Sequence, residues 1–259
     1  MSNTRTFTNE YVPKKGGFFG FMKSNEDNVY KMSKLLSDSK IGQDINAKSS
    51  KSKVIYNSSM QGNLLEYVNI KGNDIEMKKT FKPILTMVLK LHRLGYVYNG
   101  IELNSILYKA IYKTNKTNKT NKTTNNETNN RDVQDTFRLR TYDDELKRPK
   151  LDYIYMKNVK PNYQGILTDL IYTTNMDDII PNNEYDNDIL DIFQIYKDVY
   201  LHNMTKSNYV NNNMNEEVIN VITYAKIIEE FIRIMHEILS SKNAIINHKQ
   251  LKFKYLKLA

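Results

Sequence analysis

The sequence predicts an α+β protein in two lobes, a small β-rich lobe followed by a mainly α-helical one. Short apolar runs bounded by turn residues fill the first 70 residues, long three-and-four apolar periodicities fill the rest, and a polar break separates them near Asn69 to Asp74. The expected division is residues 1–72 and 73–259.

In the first part, "GGFFGFMKS" (Gly16 to Ser24) and "NVYKMSK" (Asn28 to Lys34) read as strands around the polar turn "NED". "KVIYNS" (Lys53 to Ser58) and "LLEYVN" (Leu64 to Asn69) read as two more. In the second part, "KKTFKPILTMVLKLHRLG" places Phe81, Ile84, Leu85, Val88 and Leu91 on one helical face, and Gly95 follows as a stop. "NDILDIFQIYKDVYLHNM" (Asn187 to Met204) is also helical by period. "EEVINVITYAKIIEEFIRIMHEIL" aligns Val218, Val221, Ile222, Ala225, Ile228, Ile232, Met235 and Leu239, and it opens with acids that suit a helix N-terminus.

One stretch lies outside the globular pattern. "KTNKTNKTNKTTNNETNN", Lys113 to Asn130, has no apolar residue to bury and reads as a disordered surface insertion. Its Asn-Lys-Thr triplets match a glycosylation acceptor, but with no secretory signal they read as a repeat.

Composition limits the chemistry. The chain of 259 residues is 40% hydrophobic, enough to bury a substantial core, and its lack of cysteine excludes disulfides, thiolate zinc sites and a cysteine nucleophile. Neither a signal-peptide core nor a run of about 18 apolar residues occurs, so an intracellular, cytoplasmic protein with no membrane contact is expected. The net charge of +9 fits an anionic partner, yet Lys, Asn, Ile and Tyr are abundant together, as in chains from AT-rich genomes. The four histidines, His92, His202, His236 and His248, have no metal-ligand spacing.

The order of elements, with "GNLLEYV" and "LHRLGYVYNGIELNSILY", resembles the eukaryotic-like protein kinase fold from about Val12 to Asn203. That likeness implies ATP and magnesium as cofactors. "GGFFGFM" is similar to the glycine-rich loop over the phosphates, with Gly17 and Gly20 on its later glycines and Lys15 where the first would be. Lys31, or Lys34 in a shifted register, stands for the phosphate-binding lysine. No Glu follows to pair with it, and Asp44 could substitute only with a shorter reach.

Setting Ile106 and Leu107 on the apolar pair of the catalytic loop fixes its other positions. Tyr98, Asn99 and Gly100 then stand where the family has His, Arg and the catalytic Asp. Glu102 replaces the loop lysine, and Ser105 replaces the metal-binding asparagine; moving Asn104 there supplies no base. Phosphoryl transfer needs a carboxylate to orient the hydroxyl and cations to neutralise charge, which this loop does not carry. Asp169 in "QGILTDLIYTT" resembles the metal-binding aspartate of the activation segment, and Asp186 or Asp188 the residue that holds the loop backbone.

The resemblance implies a pseudokinase, of viral or other compact AT-rich origin, that has lost phosphotransfer and binds a protein partner, with a nucleotide as a modulator of that binding. Host cytoplasm would be its location if viral. Two alternatives stand beside it. One is a divergent active serine/threonine kinase, whose base would come from Asp169 or "TYDDE" (Thr141 to Glu145). The other is a basic helical nucleic-acid-binding protein that uses Lys249, Lys252, Lys254 and Lys257 of its tail.

Overall fold

The computed structural model describes residues 7–11, 23–50, 53–110, 135–143, 148–149, 155–156, 160–172, 176–206 and 216–241. Among them the chain is mixed α/β, with six α-helices and a three-stranded antiparallel sheet. The glycine-rich segment with Gly17 and Gly20, the insertion at 113–130 and the tail from Asn247 lie outside the described residues.

The N-terminal part runs β1 (Phe7–Tyr11), α1 (Lys23–Asp38), β2 (Val54–Ser58), β3 (Gly62–Asn63) and α2 (Leu64–Lys71). Strands β1 and β2 pair antiparallel, Phe7 opposite Ser58. The expected strand Lys53 to Ser58 is therefore present.

Two expected strands are helices, so among the described residues up to 72 the helices α1 and α2, of 16 and 8 residues, outweigh strands of 5, 5 and 2. "NVYKMSK" lies inside α1, because Val29, Met32 and Leu36 recur at three and four once the window is extended past Lys34. Its two faces serve different clusters. Leu36 and Met32 join the main core, while Val29 and Tyr30 pack on Val54, Tyr56 and Tyr142. The Ser33 and Tyr56 hydroxyls meet at 2.6 Å between them.

"LLEYVN" is α2, and its start is dictated by a capping box. Glu66 N–H donates to Asn63 Oδ1 at 3.0 Å, and Asn63 N–H donates back to Glu66 Oε2 at 3.3 Å. Leu64, Tyr67 and Val68, at helical spacing, are the residues it buries.

A 3₁₀ turn at Gly72–Asp74 leads to α3 (Met77–Arg93), which buries Phe81, Ile84, Leu85, Val88 and Leu91 as the periodicity predicts. Gly95, at φ +83°, turns the chain into β4 (Tyr96–Val97) in a conformation that suits glycine. After a loop come β5 (Ile106–Lys109), β6 (Thr136–Leu139), β7 (Tyr142–Asp143), β8 (Arg148–Pro149) and β9 (Tyr155–Met156). The three-stranded sheet has the order β3-β5-β6, with Leu107 opposite both Asn63 and Arg138. Strand β4 pairs with β9, and β7 with β8.

Three helices complete the fold: α4 (Gln164–Tyr172), α5 (Glu184–Lys206) and α6 (Glu216–Ser240). Ile228, Ile232, Met235 and Leu239 of α6 are buried as expected, but Val221 is 60% exposed and Ala225 is exposed. Phe81, Phe193, Tyr196 and Phe231 join α3, α5 and α6 through edge-to-face ring contacts. Among the described residues no helix is long and apolar enough to cross a membrane.

Candidate functional site

The site grows from the loop that leaves β4. Asn99 and Gly100 have φ of +56° and +87°, a tight left-handed turn that an Asn-Gly pair tolerates. Such a turn cannot pair its amides in a helix or strand ladder, so they need other acceptors.

Those acceptors are two carboxylates one turn apart on α5. Tyr98 N–H donates to Asp188 Oδ2 at 2.8 Å, Asn99 N–H to Asp188 Oδ1 at 2.9 Å, and Ile101 N–H to Asp191 Oδ2 at 2.8 Å. The i, i+3 spacing puts both carboxylates on one helix face, which is why one element can hold the whole turn.

Asp188 has a third partner. His92 Nε2 lies 2.9 Å from Asp188 Oδ2, His92 Nδ1 lies 2.9 Å from the Tyr163 hydroxyl, and the His92 and Asp188 side chains have no exposed surface. A carboxylate can only accept, so Nε2 carries a proton and donates to Asp188, while Nδ1 shares its bond with the Tyr163 hydroxyl. Burial raises the Tyr163 pKa far above the ordinary tyrosine range, which keeps that phenol a donor. The chain of contacts runs Tyr163 to His92 to Asp188 to the loop backbone.

The far end of the loop is tied to β6. Ser105 Oγ accepts Glu102 N–H at 3.2 Å, Arg140 N–H donates to the Ser105 carbonyl at 2.8 Å, and Arg140 Nε donates to the Asn104 carbonyl at 3.1 Å. Tyr98 O–H reaches the Arg140 carbonyl at 2.9 Å. Asn99, Gly100, Glu102 and Asn104 remain exposed on this fixed backbone.

Of the two aspartates expected to hold the loop, Asp188 makes the contact. Asp186, in the first turn of α5, instead holds the residues just before the helix, its Oδ2 accepting Asn182 N–H at 3.0 Å and Asn183 Nδ2 at 3.1 Å. Burial raises the Asp186 pKa, and the charge of Asp169 on α4 adds to that.

The other expected residues lie on separate elements. Lys31 is exposed on α1, Lys34 pairs with Asp38 at 3.2 Å, and Asp44 pairs with Lys40 at 3.4 Å. Asp169 is half-buried on α4. Asp191 and Tyr163 were not expected, although "DILD" in α5 carried the i, i+3 signal for the former.

Burial raises the Asp191 pKa, with the charges of Asp188 and Glu102 adding to it and the Ile101 and Gly100 amides opposing it. A raised native pKa means that the native state binds its proton at higher pH than the unfolded chain, so this contribution to stability is full in acid and is lost as pH rises through the native value. The Asp191→Asn variant keeps an acceptor for Ile101 and removes the titration. Urea midpoints followed from pH 7 down to the ordinary carboxylate range are therefore expected to shift in favour of the wild type over Asp191→Asn on acidification; no change in that difference would refute the linkage.

No family model, no curated protein and no solved structure matches the chain.

Proposed function

We propose that the chain is a kinase-like protein in two lobes that has lost phosphotransfer and acts by binding a protein partner. The observation that carries this reading is the Asp188 carboxylate on the amides of Tyr98 and Asn99. In the kinase resemblance, an aspartate near the start of this helix holds the backbone of the catalytic loop, and Asp188 is one of the two residues that the resemblance assigns to that role. The loop so held ends in a 3₁₀ turn and runs into β5 at Ile106, which supports the register set on Ile106 and Leu107.

Its side chains do not suit the reaction. Gly100 has no carboxylate to orient a hydroxyl, Glu102 is an exposed acid where a cation is needed, and the Ser105 hydroxyl is bonded to Glu102 N–H. The described residues also do not fit a magnesium nucleotide. Lys31 projects from a helix rather than a strand, Asp169 stands beside Asp186, and among the described residues no group of three or more His, Asp and Glu could hold a metal ion. No step is therefore routed through ATP.

Purified protein incubated with labelled ATP, Mg²⁺ or Mn²⁺ and a generic protein substrate is expected to incorporate no label above background, and the Lys31→Ala variant is expected to behave identically. Incorporation by the wild type that disappears in Lys31→Ala would reject this reading in favour of a divergent active kinase.

A further inference from the structure

The sheet β3-β5-β6 has one face on the core and one turned away from it. Phe137 and Leu139 are buried in the main cluster, so the alternate residues Thr136 and Arg138 of β6 point to the outer face. Register places Leu107 opposite Arg138 and Lys109 opposite Thr136, which adds an apolar floor and an exposed lysine to that face. Arg140 follows two residues after Arg138, tied through Nε to the Asn104 carbonyl.

The contacts of Arg138 within the fold do not explain its head group. Its Nη1 donates to the neighbouring Phe137 carbonyl at 2.8 Å, but its Nε is buried and has no hydrogen-bond partner. Covering Leu107 accounts for the methylene stem and not for a desolvated N–H on the charged head. Buried polar groups nearly always have partners, and an unpartnered one points to a water or an ion. The carboxylate whose charge acts on Arg138 is Asp44, already paired with Lys40 at 3.4 Å.

With Nη1 engaged and Nε buried, Nη2 is the donor left for a charge-assisted contact with an anion. Arg138, Lys109 and Arg140 outnumber Asp44, so a doubly charged oxyanion is favoured over a carboxylate. We propose that Arg138, with Lys109 beside it on the outer face of β5 and β6 and Arg140 just past the end of β6, forms a phosphate-binding site. It stands independently of the kinase-like reading, since neither Lys31 nor Asp169 takes part.

The test is thermal unfolding of the full chain at pH 7 in inorganic phosphate, against acetate at matched ionic strength. Phosphate at ten times its Kd is expected to raise Tm by about 3–6 °C over acetate. Arg138→Met should abolish the difference, and Lys109→Gln, which changes an exposed side chain and leaves the fold intact, should reduce it. No phosphate-specific rise in the wild type, or a full rise in Lys109→Gln together with Arg138→Met, overturns the site; if Arg138→Met does not fold, the wild-type and Lys109→Gln measurements decide. ATP should stabilise no more than tripolyphosphate, and a larger effect of ATP would mean that adenosine is recognised and would overturn phosphate as the ligand class.

Discussion

Replacing Asp188 with alanine is expected to destabilise the folded chain by about 3–5 kcal/mol, since each buried donor left without an acceptor costs about 1–3 kcal/mol. Three donors lose their acceptor at once: Tyr98 N–H, Asn99 N–H and His92 Nε2. The His92 and Asp188 side chains are fully buried, so water cannot replace the carboxylate without opening the core. Urea denaturation measures the loss. Hydrogen exchange locates it, because the amides of Tyr98 and Asn99 should lose protection before those of α3. The Asp188→Asn variant keeps one acceptor oxygen and should lose less than Asp188→Ala. Equal losses would mean that the carboxylate acts by filling space and not by accepting bonds.

The same pair of residues separates what sequence reveals from what it hides. Helices α3, α5 and α6 were legible because 17, 23 and 25 residues give several turns of apolar recurrence. Helices α1 and α2 were not, because seven residues of "NVYKMSK" and six of "LLEYVN" are too few to distinguish period 3.6 from a buried strand. The decisive signals lay just outside those windows, at Leu36 for α1 and in the Asn63–Glu66 capping box for α2. At the site, the loop frame could be set from Ile106 and Leu107, and Asp188 was one of two candidates for the residue that holds it. Choosing between Asp186 and Asp188 needed tertiary contacts, since both are acids near the start of one helix. The link from Tyr163 through His92 spans 71 residues of chain and has no local spacing to betray it. Arg138 shows the same limit: an arginine in a strand is unremarkable in sequence until the burial of its Nε is known.

The second large effect is expected in the helical core. Phe231→Ala should cost about 3–5 kcal/mol, the range for emptying a buried phenylalanine site. Its ring is fully buried on α6, 5.0 Å from Phe193 and 5.5 Å from Tyr196 of α5, both edge-to-face. Tyr196 in turn meets Phe81 of α3 at 4.9 Å, so one deletion loosens contacts among three helices. The cost has two parts, the lost transfer of the ring from water and the cavity that fully buried neighbours cannot collapse to fill. Phe231→Leu should recover about half of the loss, because it restores volume without the edge-to-face geometry. Val221→Ala on the same helix should change stability by less than about 0.5 kcal/mol, since Val221 is 60% exposed. The three urea midpoints test the packing directly: similar costs at Phe231 and Val221 would mean that α6 does not seat Phe231 between α5 and α3.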